Sequence, residues 1–141
     1  MTANDVVLAI TGASGSAYAL RLAQVLLAAG RQLHVVVSGA ARQVIARELD
    51  TEFPGHSATA EEWSAMIDTA LSGPVASAWG FRPLAVSNSE RPRGSVRVYG
   101  TSDYSAGIAS GSFRTSGMVI CPCSMGTLSS IASGASTNLI Q

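Results

Sequence analysis

The chain contains no lysine: its nine basic residues are all arginine, and nine acidic residues balance them to a formal net charge of zero. Without lysine there is no side-chain amine for a Schiff base within these 141 residues. Zero net charge without a basic stripe argues against nucleic acid as the main partner. Charge of either sign is scarce, at 13% of residues against about 25% in an ordinary soluble domain, so much of the surface is expected to be covered. No apolar run approaches the roughly 18 residues of a membrane span, and the N-terminus lacks the basic-then-apolar order of a secretion signal. Other subunits, rather than lipid, are the expected cover. Cysteine is scarce as well. Cys121 and Cys123 are too few for a structural zinc site, and a mutual disulfide is not expected. They read as small buried residues of a reducing compartment. A nucleophilic role would need a nearby base, and neither His34, in a strand pattern, nor His56, in a loop, has a visible reason to be close.

What is present has the grain of a single α/β domain. The apolar run Val6 to Ile10 gives way to Thr11-Gly12-Ala13-Ser14-Gly15-Ser16 and then to a helix-like pattern from Ala17. A strand, a glycine turn and a helix N-terminus make a candidate anion site, with backbone N–H groups lacking intrahelical partners and hydroxyls at Ser14 and Ser16 as added donors. The plainer alternative is a turn that only caps the helix. Tyr18, Leu22, Val25, Leu26 and Ala29 share a face at helical spacing, and Gly30 supplies the stop. Leu33 to Val37 reads as a second strand ending at Ser38-Gly39, followed by a helix over Ala40 to Leu49 with Ala41, Val44, Ile45 and Leu49 inward. This order implies a parallel sheet whose ligands gather at the carboxyl ends of the strands, where Thr11 to Ser16 and Ser38 lie side by side.

Between Asp50 and Gly94 the pattern loosens. Thr59 and Glu62 form a capping box for a helix carrying Trp63, Met66, Ile67 and Leu71, which Gly73-Pro74 ends. Val75 to Gly94, with Arg82-Pro83, Glu90 and Arg91-Pro92-Arg93, shows no sustained period and reads as an irregular excursion. A short strand near Val96 to Tyr99 and a loop over Ala106 to Thr115 precede a further strand, Gly117 to Cys121, expected to be buried. It runs into Pro122-Cys123-Ser124-Met125-Gly126-Thr127-Leu128 and a short helix to about Ser133. Ser124, Gly126 and Thr127 thus repeat the first turn's logic, with Ser38 between the two turns, and together they point to a phosphorylated cofactor. The alternative is that Ser124 and Thr127 merely cap a helix. A nicotinamide dinucleotide would call for Gly-x-Gly-x-x-Gly and an acidic residue ending the second strand. The turn here is Gly12-Ala13-Ser14-Gly15 and the second strand ends in Ser38, so a mononucleotide such as FMN fits better.

Four motifs in order, Thr11 to Gly15, Ser38 with its helix to Glu48, Ala109-Ser110-Gly111-Ser112, and Met118 to Ser129, continued by Ile131 to Gly134 and Asn138 to Ile140, resemble the UbiX/Pad1 flavin prenyltransferases. The resemblance covers nearly the whole chain and implies a Rossmann-like three-layer fold in the homo-oligomeric flavin-containing cysteine decarboxylase superfamily. It implies transfer of dimethylallyl from dimethylallyl phosphate to reduced FMN without a metal. The prenylated FMN so made serves a partner UbiD-type decarboxylase. Carried over by motif, Gly12, Ala13, Ser14, Ser38, Ser124, Met125, Gly126 and Thr127 bind FMN. Ser14 also touches the reacting flavin edge, Glu48 matches a carboxylate near the prenyl site, and Ala109, Ser110, Gly111 and Ser112 line the prenyl pocket. For Glu48 the plainer reading is a solvated helix residue between Arg47 and Asp50.

Family members continue beyond the equivalent of Gln141, and that segment supplies an arginine for the flavin, a lysine, a glutamate, and a tyrosine and basic residue for the prenyl phosphate. The expectation is therefore a fragment or truncated product with the flavin half largely intact and no clamp for the leaving phosphate. The Asp50 to Gly94 stretch is longer than the family pattern. Two other classes stay open. One is a flavin-dependent decarboxylase of the same superfamily, which usually carries a histidine and a Pro-Ala/Met-x-Asn motif that the Ile108 to Thr115 loop does not show. The other is a non-catalytic FMN-binding or assembly subunit. The family implies a cytoplasmic, trimer-based dodecamer, in keeping with the low charge.

Overall fold

The structure, a computed structural model, describes residues 4–55, 57–82, 84 and 93–141. His56, Pro83, Glu90, Arg91 and Pro92, noted above, lie outside the described residues. Four parallel strands, β1 (Asp5–Ile10), β2 (Gln32–Val37), β3 (Val96–Tyr99) and β4 (Gly117–Ile120), form one sheet in the order β3-β2-β1-β4. The register pairs Leu8 with Val35 on one side and with Val119 on the other. β1 and β2 are near-continuous apolar runs because both their faces are covered, as expected of central parallel strands.

One face carries α1 (Ser16–Ala28), α2 (Gly39–Leu49), α3 (Ala60–Ser72) and the short α4 (Pro74–Ala78). Leu8, Ile10, Leu33 and Val35 of the sheet meet Leu20, Leu27, Ile45, Trp63 and Ile67 of the helices in the main core. Each fully buried large side chain there contributes about 1.5–3 kcal/mol. The capping box at Thr59 and Glu62 is formed as the sequence indicates. α4 starts at the Gly73-Pro74 stop and runs into the stretch read as irregular, because Pro74 suits a first helical turn and needs no N–H partner there.

The buried face of α1 differs from the one the spacing suggests. Ser16, Ala17, Ala19, Leu20, Ala23, Gln24 and Leu27 are inward, whereas Tyr18, Val25 and Ala29 are exposed and Leu22 and Leu26 are half-buried. Small alanines let the helix lie close to the sheet, so the larger side chains fall on its flanks. On α2, Val44 is likewise half-buried while Ala41, Ile45 and Leu49 are fully inward.

The second face of the sheet is covered differently. Ala9, Val36 and Ile140 form a small cluster with Tyr99, Ile108, Ile120 and Leu139, so the segment after β3 and the residues near Gln141 lie over it. β4 is not the buried strand expected: Gly117, Met118 and Val119 are exposed, because β4 pairs only with β1 among the described residues. The following helix, α5 (Met125–Ala132), has no buried residue.

Candidate functional site

Parallel strands send their carboxyl ends to one edge, and the strand order sets three turns there side by side. The β1 turn lies in the middle, with Ser38 on the β2 side and Pro122 to Thr127 on the β4 side. Ser38 is therefore not between the two glycine turns; it flanks the first. The β1 and β2 turns are in close contact, since a Cβ at Gly12 would lie only 2.6 Å from the Ala40 Cβ.

Thr11 ties the β1 turn to the β4 turn. It is almost fully buried; its hydroxyl donates to the Pro122 carbonyl at 2.7 Å and accepts from the Ser124 N–H at 2.7 Å. Its own N–H also reaches the Pro122 carbonyl, at 3.2 Å. The peptide bond between Cys121 and Pro122 is cis. Thr11 was read only as part of a motif, and the one signal for its role is a hydroxyl closing an otherwise apolar strand.

The donors of the first turn face a carboxylate from within the chain. Gly15, left-handed at φ 112°, caps α1, and Glu48 projects from α2 across the turn. Its carboxylate accepts from the Ser14 hydroxyl at 2.6 Å, from the Ser16 N–H at 2.8 Å and from the Gly15 N–H at 3.2 Å. Partial burial alone pushes the Glu48 carboxyl up, but the Ser14 hydroxyl and the Ser16 and Gly15 donors outweigh it and hold the group below its ordinary value. Glu48 is thus no solvated helix residue. The donors anticipated at the start of α1 are taken by the protein's own carboxylate.

The second turn is arranged otherwise. Ser124 caps α5, its hydroxyl accepting from the Thr127 N–H at 3.2 Å and lying 3.0 Å from the Thr127 hydroxyl. Ser38 similarly caps α2 through the Ala41 N–H at 3.1 Å. Ser124 thus does the capping that the plainer reading assigned it, and Ser38 caps as well, at helix starts that also face the shared edge. Met125 and Gly126 are exposed, and a Cβ at Gly126 would meet nothing within 4 Å, so the first turn of α5 opens onto free space. Those backbone donors suit a phosphate, which is the fit an FMN requires. Tyr18, misassigned to the core, stands at the same edge: a Cβ on Gly15 would lie 3.5 Å from its ring and 3.9 Å from Pro122.

Ala109 to Ser112 are placed apart from these turns. Ser110 and Ser112 pair hydroxyls at 2.9 Å, Ile108 packs in the second-face cluster, and Phe113 stacks edge-on against His34. Ala109 also borders a groove of about 310 Å³ with Ile108, Met118 and Leu139. His34, buried on β2, is held by Asp5 at 2.9 Å and Tyr99 at 2.9 Å, with β1 between its strand and β4. Cys121 and Cys123 are free thiols, half-buried rather than buried, and burial pushes the Cys121 thiol up, away from the thiolate a nucleophile needs. Among the described residues no three His, Cys, Asp or Glu side chains gather as a metal site, and no helix is long and apolar enough to cross a membrane.

A family model described as Flavoprotein matches residues 1–141. Among curated relatives, the flavin prenyltransferase UbiX of Pseudomonas aeruginosa is 40% identical over 96% of this chain and 55% of its own length. That of Halalkalibacterium halodurans is 37% identical over 94% of this chain and 52% of its own. The chain thus spans about half the length of the curated relatives it matches. Among solved structures, AnUbiX (PadA1) in complex with FMN and dimethylallyl pyrophosphate superposes with a TM-score of 0.66 at 26% identity, over 99% of this chain and 55% of that one. A dodecameric FMN-dependent UbiX-like decarboxylase from Escherichia coli O157:H7 gives 0.61 at 25% identity, over 96% and 56%.

Proposed function

Because the chain belongs to the flavoprotein family, we propose that its three-turn edge is the FMN-binding half of a flavin prenyltransferase. The observation that carries this is the contrast between a carboxylate-filled α1 start and an open α5 start, locked side by side by Thr11. The open α5 turn takes the FMN phosphate on the backbone of Ser124, Met125, Gly126 and Thr127. Gly12, Ala13, Ser14 and Ser38 line the rest of the cofactor along the edge.

When bound and reduced, FMN would supply the nucleophilic ring that accepts dimethylallyl, the carbon–oxygen bond to phosphate breaking and inorganic phosphate leaving. Ser14 and Glu48 are the residues assigned to the reacting side. Their 2.6 Å hydrogen bond fixes the hydroxyl's direction and keeps the carboxylate ionised beside it, where negative charge opposes build-up of a second anion and favours developing positive charge. Ala109, Ser110, Gly111 and Ser112 are assigned to the prenyl pocket by their motif; of the four, Ala109 borders a groove with Ile108, Met118 and Leu139. No metal takes part, the product passes to a UbiD-type decarboxylase, and the protein works in the cytoplasm as a trimer-based homo-oligomer, a dodecamer. The AnUbiX complex and the dodecameric neighbour support the substrate class and the assembly.

A second reading is that these residues by themselves bind FMN without turnover, since the three-turn edge lies wholly within them. Mass spectrometry of flavin recovered after anaerobic incubation with FMN, dithionite and dimethylallyl phosphate separates the two. A prenyl adduct is the expected result for the transferase. Unmodified FMN that copurifies supports the binding reading, and absence of bound FMN overturns both.

A further inference from the structure

We propose that His34 is the positioning residue of the loop that carries Ala109 to Ser112, and through it of the prenyl pocket; this second step rests on the pocket assignment made above. Among the described residues four polar side chains are buried, Thr11, Ser16, Gln24 and His34. Thr11 and Ser16 belong to the three-turn edge, and Gln24 joins α1 to α3 through Asp68 at 2.7 Å. His34 has no part in either. Its neighbours along β2 are Leu33, Val35, Val36 and Val37, and its register partner on β1 is Val7. An aliphatic side chain would fill such a position without the cost of desolvating an imidazole. What the imidazole adds is a pair of directed bonds.

Those bonds lead to both ends of the loop between β3 and β4. Nε2–H donates to the Asp5 carboxylate at 2.9 Å, which leaves Nδ1 of the neutral ring to accept from the Tyr99 hydroxyl at 2.9 Å. Tyr99 is the last residue of β3, where the loop leaves the sheet. The Asp5 carbonyl accepts from the Ser116 N–H at 2.7 Å, where the loop returns. A third contact reaches its middle: the Phe113 ring stands edge-on to the imidazole at 5.0 Å, and a Cβ at Gly107 would lie 3.4 Å from that same ring. Phe113 follows Ser112 directly, so one side chain links the imidazole to the segment in question. The backbone bonds inside that segment are short-range, from the Ala109, Ser110 and Phe113 N–H groups to the carbonyls of Ala106, Gly107 and Ser110 at 2.9–3.0 Å. They shape each turn without fixing where the turns sit against the sheet. Ile108 in the second-face cluster holds one point, and the imidazole under Phe113 holds another. With both nitrogens paired the ring keeps a single orientation, a defined surface for the Phe113 edge that a freely packed aliphatic side chain does not offer.

The test compares the parent chain with His34→Leu, which keeps the position filled, and Tyr99→Phe, which removes a single hydroxyl. In both variants the Ala109, Ser110 and Phe113 amides are expected to exchange with deuterium about tenfold faster, while the Leu8 and Val35 amides and thermal unfolding stay as in the parent. A residue that merely stabilised the fold would move all of these together. Calorimetric titration of dimethylallyl phosphate into the chain loaded with oxidised FMN, where no transfer occurs, is expected to show affinity about tenfold weaker in the variants, with the Kd for FMN unchanged. Unchanged loop exchange in both variants overturns the inference, as does loosening of the sheet amides along with the loop, or a loosened loop with the parent's affinity for dimethylallyl phosphate. A parent chain that takes up no dimethylallyl phosphate overturns the pocket assignment, and the inference falls with it; that failure shows in the parent, whereas failure of the inference alone shows only in the variants.

Discussion

The β1-to-α1 turn and the β4-to-α5 turn have the same sequence grammar, an apolar strand, small residues and hydroxyls, then a helix, and opposite electrostatics. At the first, Glu48 satisfies the Ser14, Gly15 and Ser16 donors; at the second, only Ser124 caps and the first turn faces open space. A helix start is a site for an external anion only when nothing in the fold has already supplied one. What distinguishes the two turns is a residue on a third element, 34 positions from Ser14.

The largest effect comes from uncoupling the turns. Thr11→Val keeps the shape but leaves the Ser124 N–H without its acceptor and removes a bond to the Pro122 carbonyl, in a nearly buried position. A loss of about 2 kcal/mol in denaturant unfolding is expected, together with weaker FMN binding. Unchanged stability would remove Thr11 as the link between the two turns. Next, Gly126→Glu gives α5 a carboxylate of its own in the first turn, copying what Glu48 does for α1. Quenching of flavin fluorescence is expected to report a Kd for FMN raised about tenfold, or ~1.4 kcal/mol, while Gly126→Gln raises it far less. Equal affinities for the two variants would place the phosphate elsewhere.

Much of this architecture was legible in the chain because its signals are local. Apolar runs gave β1 and β2, Thr59 and Glu62 gave the start of α3, and glycine turns after strands marked the functional edge. The errors fall where burial depends on a distant partner. Tyr18 and Val25 share helical spacing with Leu22, but alanines at 17, 19 and 23 let α1 sit close to the sheet and turn the larger residues outward. β4 reads as buried from composition alone, and composition cannot show which neighbour is present. The Thr11 bond to Ser124 spans 113 positions and leaves no periodic trace. Glu48 stood out only through a family resemblance; its chemistry became visible when α2 was seen to lean over the α1 start.

The smallest effect, and the sharpest for the comparison, is expected from making the first turn resemble the second. Glu48→Gln keeps the size of the side chain but loses the charge, so one of the two oxygens facing Gly15 and Ser16 becomes an amide that cannot accept. Because Glu48 is only half-buried, the cost at neutral pH is expected to stay below about 1 kcal/mol. Its pH dependence identifies the cause. A carboxyl whose folded-state pKa lies below its ordinary value of 4.5 stabilises the fold fully above that value and loses the contribution as pH falls through the lowered one. The stability gap between the parent chain and Glu48→Gln is therefore expected to be flat from neutral pH down to the ordinary carboxylate range and to close below it. A gap that persists unchanged into strong acid would assign the effect to packing, and the filled α1 start would then owe nothing to the charge on Glu48.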